Sequence, residues 1–290
     1  METEVPFRID ARVRVPADLR PRPDVADDHY ERYDEVLGLR TKLAKTSADL
    51  TEEMDAAGVA HAVVHAEYEH GDIADALNEA VAAMVDDDPD RFTGVGTASL
   101  DSPFPNRMVA QVRRCAELGL RGVNIQPAFF GRAIDDSELW PLYGAADELG
   151  LAVGLHTGVN YERAVSLAGE QPWRLDRIAG AFPDLRLIAC HAAWPWADEL
   201  AAVARRHPTV FFDFGGIAPR YLGEPNTGWG VLMRFVDSLL REQALFATDW
   251  PVISHERAVT EWEGLDLKPA TRRSVMAENA AKLFGINLPQ

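Results

Sequence analysis

Residues 119–158 read GLRGVNIQPAFFGRAIDDSELWPLYGAADELGLAVGLHTG and contain the clearest pattern of strands and helix in the chain. Short apolar runs, Gly122–Gln126 and Ala152–His156, stand on either side of a helical pattern at Asp136–Leu149. Gly150 follows that pattern at a position where glycine commonly ends a helix. The stretch is therefore predicted to form a strand, a helix and a second, parallel strand.

The same unit recurs along the chain, because six further apolar runs alternate with helical patterns. These runs are Phe7–Val13, Val59–His65, Phe92–Ala98, Leu185–His191, Val210–Phe214 and Ala244–Asp249. Runs that are hydrophobic almost throughout are typical of parallel strands buried on both faces. Eight such strands in 290 residues predict an α/β fold, a single-domain (β/α)8 TIM barrel over residues 1–290. The long segment 16–46 after the first strand is predicted to be a lid or an oligomer contact.

The composition limits which binding partners and which cellular compartment are expected. The chain carries a net charge of −17, which would repel a phosphate backbone, so nucleic acid is not expected as a partner. We expect no membrane contact and no signal peptide, and we predict a cytoplasmic protein. The two cysteines, Cys115 and Cys190, are predicted to be reduced, with Cys190 facing the helices.

Polar side chains occur where the apolar runs end, and in a barrel of this kind these ends meet at one mouth, where catalysis takes place. The strand-end candidates are Arg12, Arg14, His65, Glu67, Asn124, Gln126, His156, His191, Asp213 and Asp249. Arg12 and Arg14 are two residues apart and are predicted to share one strand face, as are Asn124 and Gln126. Trp194 and Trp250 follow two of the strand ends and could stack on a flat substrate. Surface or loop positions are expected for His29, His61, His70, His207 and His255.

Three further segments carry a resemblance to a known family. Residues 185–216 read LRLIACHAAWPWADELAAVARRHPTVFFDFGG, residues 245–259 read LFATDWPVISHERAV, and residues 278–286 read ENAAKLFGI. Together with residues 119–158, they resemble the amidohydrolase-related (amidohydrolase-2) family from about residue 50 onward. The resemblance implies a (β/α)8 barrel and places the chain near decarboxylases and hydrolases of small aromatic or unsaturated carboxylates. Homodimers are common in that family, so a homodimer is one expected state.

The resemblance assigns roles to three residues. His156 matches the metal-ligand histidine of strand five, and His191 matches a strand-six histidine that serves as a ligand or as a general acid or base. Asp249 matches the strand-eight aspartate, a ligand or proton acceptor. The first strand departs from the family pattern, I-D-x-H-x-H, because Arg12 and Arg14 occupy both histidine positions. Guanidinium groups stay protonated and cannot bind Zn²⁺, so we expect no cofactor.

The working hypothesis is a metal-independent hydrolase that acts on a small carboxylated substrate, such as an ester or a lactone. Asp249 would be the general base, and His156 and His191 would polarise the carbonyl. Arg12 and Arg14 would hold the substrate anion. Additional substrate contacts would come from Asn124, Gln126, Glu67, Trp194 and Trp250.

Three alternatives remain open at this point. The first is a metal-dependent decarboxylase, with Zn²⁺ or another divalent ion on His156, His191 and Asp249. The second is a lyase of the cyclase or hydratase type, since loss of the metal pair fits recruitment to new chemistry. The third is a ligand-binding barrel that has lost catalysis.

Overall fold

The computed structural model describes residues 7–21, 31–67, 73–101 and 104–289. His29 and His70 therefore lie outside the described residues, as do residues 22–30 of the predicted lid. Eight parallel strands form the centre of the molecule, and each coincides with one of the predicted apolar runs. Their bounds are β1 Ile9–Arg14, β2 His61–His65, β3 Phe92–Val95, β4 Gly122–Ile125, β5 Ala152–His156, β6 Leu187–Cys190, β7 Val210–Asp213 and β8 Ala244–Leu245.

Hydrogen bonding arranges these strands in two groups, β1-β2-β3 and β4-β5-β6-β7-β8. Single bridges join the groups, between Gly96 and Val123 on one side and between Val13 and Trp250 on the other. The eight parallel strands alternate with helices and are joined at both edges by these bridges, so the predicted (β/α)8 barrel is confirmed.

Helices cover the outside of the strands. Their bounds are α1 Glu31–Leu37, α2 Leu39–Lys42, α3 Ser47–Ala57, α4 Ala74–Asp87, α5 Pro105–Glu117, α6 Trp140–Glu148, α7 Arg174–Ala181, α8 Ala197–Arg206, α9 Gly230–Val236, α10 His255–Glu263, α11 Pro269–Arg273 and α12 Asn279–Phe284. Helix α3 begins with a capping box, in which the Thr46 side chain accepts from the Asp49 backbone and Asp49 accepts in return. No helix within the described ranges is both long enough and apolar enough to cross a bilayer.

A register irregularity in β1 sets the direction of its charged side chains. Pairing with β2 shifts between Asp10 and Val13. Ile9 and Ala11 pack in the small apolar cluster that includes Val63 and Leu245, whereas Val13 packs in the large cluster. The shift is consistent with Arg12 and Arg14 both reaching the mouth, while Asp10 contacts Thr248 and helix α10.

Two histidines that were expected on the surface are buried. His255, at the start of α10, is 0% exposed, and its Nε2 lies 3.1 Å from Asp10 Oδ2. His61, at the start of β2, is hydrogen-bonded through Nδ1 to the Asp90 carbonyl and through Nε2 to Thr93 Oγ1. The surface expectation was wrong for both, because each imidazole finds polar partners on a neighbouring element.

Candidate active site

A narrow cavity lies at the mouth of the barrel, where the carboxyl ends of the strands meet. Eight of the residues predicted from strand ends and motifs line it: Arg12, Arg14, Glu67, Gln126, His156, His191, Trp194 and Asp249. The sequence reasoning missed eight others, which are Tyr33, Leu37, Val159, Tyr161, Gly215, Gly216, Ile217 and Val252. The missed residues come from loops and from α1, and most are apolar or aromatic. The cavity therefore has a charged floor and an apolar rim.

One side of the cavity is built around Asp249. The Arg14 guanidinium donates two hydrogen bonds to this carboxylate, from Nε to Oδ1 at 3.1 Å and from Nη2 to Oδ2 at 2.9 Å. Arg12 Nε lies 3.3 Å from the same Oδ1. Burial alone would raise the pKa of Asp249. Arg14 and Arg12 outweigh burial and hold the pKa at about 2, so the carboxylate is ionised near neutral pH.

Arg12 is the hub of this side and is 2% exposed. Its Nη1 lies 3.3 Å from Asn124 Oδ1, 3.3 Å from Cys190 Sγ and 3.4 Å from His65 Nδ1. Glu67 completes the group, with Oε1 3.5 Å from Arg12 Nη2 and Oε2 3.6 Å from Arg14 Nη1. Two guanidinium groups and two carboxylates thus compensate one another.

His65 supports this hub as a neutral imidazole. Its Nε2 donates to the Ala11 carbonyl at 2.9 Å, which leaves the Nδ1 lone pair for the Arg12 guanidinium. Burial, and then the charge of Arg12, lower the pKa of His65 well below its ordinary value of 6.5. His65 is thus a structural acceptor and does not line the cavity.

Two imidazoles form the other side of the cavity, with ring centroids 4.9 Å apart. His156 Nδ1 lies 2.6 Å from Oε1 of Glu170, and His191 Nδ1 lies 2.7 Å from the Gly215 carbonyl. Both partners are acceptors, so each Nδ1 carries a proton and each Nε2 is left for the cavity. Burial, and then the nearby His156, lower the pKa of His191, which favours its neutral form.

The backbone leaves its regular path where the two motifs reach the mouth. His191, Ala192 and Ala193 have φ angles of 61°, 45° and 53°, and Asp249 has a φ of 54°, all in the left-handed region. Asp213 Oδ1 stabilises the first turn by accepting from the His191 and Gly215 amides. Such conformations cost free energy, and they recur at functional sites where surrounding contacts enforce them.

Gly215 leaves little room for a side chain at this point. A Cβ atom there would lie 3.1 Å from Arg12 Cδ and 3.2 Å from Asp249 Cβ. A glycine therefore lets the β7 loop pass close to the arginine side while its carbonyl accepts from His191.

Two of the predicted substrate contacts are placed elsewhere. Trp250 is 0% exposed and is absent from the cavity lining. Asn124 is also absent from the lining and is buried against Arg12.

The expectation that Cys190 faces the helices was wrong, since its thiol contacts Arg12 inside the barrel. Strand β6 ends at Cys190 and the chain turns at His191, so strand alternation does not relate these two side chains. Burial raises the pKa of the Cys190 thiol, which keeps it protonated.

Helix α1 brings Tyr33 over the cavity from the predicted lid segment. The Tyr33 hydroxyl donates to Asn160 Oδ1 at 3.0 Å, and its ring meets Tyr161 edge to face at 5.3 Å. Burial, together with the charge of Glu170, raises the pKa of Tyr33 well above its ordinary value. Tyr33 therefore stays a neutral phenol beside the imidazoles.

Solved structures with this architecture cover nearly the whole chain. An uncharacterised TIM-barrel protein from Bordetella bronchiseptica is 26% identical, with a TM-score of 0.79 over 96% of this chain and 98% of its own. The 5-carboxyvanillate decarboxylase of Novosphingobium aromaticivorans is 18% identical, with a TM-score of 0.71 over 97% of each chain. It was crystallised with manganese and 4-hydroxy-3-methoxy-5-nitrobenzoic acid.

A curated relative matches a shorter part of the sequence. It is the 2-amino-3-carboxymuconate-6-semialdehyde decarboxylase of Dictyostelium discoideum, which is 37% identical over 86 residues. The match spans 29% of this chain and 23% of that relative's length.

The manganese in the 5-carboxyvanillate decarboxylase corrects the expectation of a site without a cofactor. A mutant of that enzyme and the dihydroxybenzoic acid decarboxylase of a Polaromonas species, which has the same fold, were also crystallised with manganese, so these structural neighbours point to a divalent metal. The donor set of this chain does not match such an ion. Across the ranges that the structure describes, no three His, Cys, Asp or Glu side chains converge on one point. Asp249 and Glu67 instead accept from Arg12 and Arg14, whose charges oppose a cation.

The family model described as Amidohydrolase matches residues 9–286, which is almost the full chain and includes all eight strands. The motifs that carried the resemblance lie inside this range, at β5, β6 and the loop after β8. The chain belongs to the amidohydrolase-2 family.

Proposed function

We propose that this protein is a decarboxylase that acts on a small aromatic or unsaturated carboxylate. The observation that carries the proposal is the cavity itself, in which a guanidinium-rich floor faces two imidazoles that are both protonated at Nδ1. Decarboxylation needs these two things, an anchor for the anion and a group that returns a proton to carbon.

This proposal changes the hydrolase hypothesis, which only the shared family supports. Hydrolysis would require Asp249 to activate water, but its pKa of about 2 makes it a weak base near neutral pH. Its oxygens are also occupied by the forks of Arg14 and Arg12. We therefore assign Asp249 to holding the arginines in place. The relatives from Dictyostelium discoideum and Novosphingobium aromaticivorans are decarboxylases, which agrees with this choice.

In the proposed reaction, the substrate carboxylate approaches Arg14, which is the more exposed of the two arginines. The bond between the carboxyl carbon and its neighbour breaks, CO₂ leaves, and the electron pair stays on the neighbouring carbon. His156, whose Nδ1–H donates to Glu170, delivers a proton from Nε2 to that carbon. Neutral His191 accepts a hydrogen bond from a substrate hydroxyl through Nε2. Solvent then reprotonates His156.

The rim of the cavity restricts the shape of the substrate. Trp194 and Tyr161 provide aromatic faces, and Val159 and Ile217 add apolar surface. A planar ring or a conjugated chain fits such a rim. We propose that α1, which belongs to the predicted lid segment, covers the site, since Tyr33 and Leu37 line the cavity.

The test is turnover of a panel of small aromatic and unsaturated carboxylates in D₂O, with and without added Mn²⁺. We expect one CO₂ for each product molecule and one deuterium at the carbon that carried the carboxyl group. A panel of esters and lactones of the same acids serves as the comparison. Hydrolysis of these esters without CO₂ release, or no turnover of any carboxylate under either condition, would overturn the proposal.

A further inference from the structure

Glu170 is a buried carboxylate at the mouth that was not predicted from the sequence. It ends the short 3₁₀ turn Leu167–Glu170, fourteen residues after His156, and is 0% exposed. Its Oε1 lies 2.6 Å from His156 Nδ1 and 3.5 Å from Gln126 Nε2. Its Oε2 is buried without a hydrogen-bond partner among the described residues.

The turn that carries Glu170 is held by bonds that do not use the carboxylate. The Gly169 carbonyl accepts from the Ile134 amide at 3.0 Å, and the Glu170 carbonyl accepts from the Gly158 amide at 3.4 Å. The Ala168 carbonyl accepts from Arg174 Nε at 2.6 Å. Burying a carboxylate costs several kcal/mol unless its partner compensates for the lost hydration. A purely structural role would be met by a less costly side chain.

We propose that Glu170 is a positioning residue that fixes the tautomer and the ring orientation of His156. A carboxylate can only accept at Nδ1, so it excludes the tautomer in which Nδ1 is the bare nitrogen. Nε2 is thereby left for the cavity in every His156 ring that keeps this contact. The kinetic consequence of this inference rests on the proposed decarboxylase function, but the tautomer itself does not.

The neighbouring imidazole shows what the carboxylate adds. His191 is held in the same tautomer by the Gly215 carbonyl, which is a neutral acceptor. Glu170 brings a full negative charge, and hydrogen bonds that involve an ionised group are roughly twice as strong as neutral ones. His156 is thus the more firmly oriented of the two rings.

The first experiment measures the tautomer directly by ¹⁵N NMR of the histidine side chains, with His156→Gln used to assign the signal. We expect Nδ1 of His156 to be protonated in the wild-type protein at every pH where the protein is folded. In Glu170→Gln, the amide can donate as well as accept, so we expect the two tautomers to mix. A bare Nδ1 in the wild-type protein would overturn the inference, whatever the activity assay shows.

The second experiment measures kcat and KM for the same variants. Glu170→Gln should lower kcat roughly 10- to 100-fold and change KM less than about threefold, because the ring is misoriented while the substrate contacts remain. Glu170→Asp keeps the charge on a shorter side chain and should recover part of the lost kcat. An unchanged kcat in folded Glu170→Gln would contradict the positioning role.

A second histidine–carboxylate pair provides the control. Asp176 Oδ1 lies 2.7 Å from His207 Nε2 between α7 and the end of α8, outside the cavity. Asp176→Asn should leave kcat unchanged. If His156 keeps Nδ1 protonated but no carboxylate is turned over, the positioning role stands and the proposed function fails.

Discussion

The two sides of the barrel mouth differ in whether their charges are fixed or can change. On the side formed by β1, β2 and β8, the guanidinium groups of Arg12 and Arg14 are paired with the carboxylates of Glu67 and Asp249. These two positive and two negative groups are almost fully buried. The arrangement keeps these charges fixed over the whole working pH range, because the arginines stay protonated and Asp249 stays ionised.

On the side formed by β5 and β6, the charge can change. His156 and His191 hold one proton each at Nδ1, and their Nε2 atoms remain available. Glu170 is the one carboxylate that contacts these two rings in the described residues. In the proposed reaction, the arginine side therefore supplies a constant electrostatic field and the histidine side supplies the proton. Substitutions on one side can therefore be tested for their effect on the other.

Replacement of Arg12 should have the largest effect on stability. In Arg12→Met, Asp249 and Glu67 lose a buried partner, and the free energy of unfolding should fall by about 3 kcal/mol. Urea denaturation at neutral pH measures this change. Arg205→Met, on the exposed face of α8, is the matched control and should stay within about 0.5 kcal/mol of wild type. A loss below about 1 kcal/mol for Arg12→Met would mean that the arginine side is not held together by charge.

Replacement of His156 should instead affect turnover. His156→Gln should lower kcat about 100-fold because the proposed proton donor is lost, which corresponds to about 2.7 kcal/mol of activation free energy. The free energy of unfolding should change by less than about 1 kcal/mol, since the glutamine amide can still donate to Glu170. Steady-state kinetics and urea denaturation of the same sample separate the two effects. A large loss of stability with a normal kcat would mean that His156 serves the fold and not the reaction, contrary to this prediction.

Lowering the pH should destabilise the folded protein, because Asp249 on the arginine side becomes protonated. Its pKa is about 2 in the folded protein against an ordinary value of 3.8, so the folded state binds fewer protons than the unfolded state. Ionised Asp249 therefore stabilises the fold above pH 3.8, and this contribution, about 2 kcal/mol, is lost as the pH falls through 3.8 towards 2. The difference in unfolding free energy between wild type and Asp249→Asn should shrink over that range. A difference that stays constant would show that protonation of Asp249 is not linked to folding.

The smallest effect is expected at the rim. Trp194 is 38% exposed and lines the cavity, so Trp194→Ala should raise KM about fivefold with little change in kcat. Trp173, which stacks on Arg174 outside the cavity, is the matched control, and Trp173→Ala should leave KM unchanged. Equal KM values for Trp194→Ala and wild type would remove the aromatic wall from the proposed substrate contacts.

Much of this architecture could be predicted because burial leaves a clear pattern in the sequence. Parallel strands with helices on one face and the barrel interior on the other must be apolar almost throughout, and all eight runs stood out for that reason. His156 and Asp249 were found because the fold brings strand ends together. Glu170 and Tyr33 were missed because they come from a loop and from α1, whose return to the mouth follows no period in the sequence.

Strand alternation does not predict side-chain direction where the backbone breaks a regular period. Alternation along β1 would place Asp10 on the face of Arg12 and Arg14, but the register shift sends it towards His255, which lies 245 residues away. Alternation also failed at Cys190, where the strand ends one residue before the left-handed turn begins. Irregularities of this kind depend on tertiary contacts, and a single sequence does not display them.

The pairing of Arg12 with Asp249 also has a consequence for the order in which the molecule is completed. These two residues are 237 positions apart, so the ribosome synthesises the guanidinium long before its main anionic partner. Until β8 is made and docks beside β1, where the Asp249 amide donates to the Arg12 carbonyl, the growing chain holds a cationic pair without that aspartate. Contacts between such distant segments form late and slowly. The mouth of the barrel is therefore assembled only when the eighth strand arrives, and a chain cut short before it would retain a set of charges that cannot be buried.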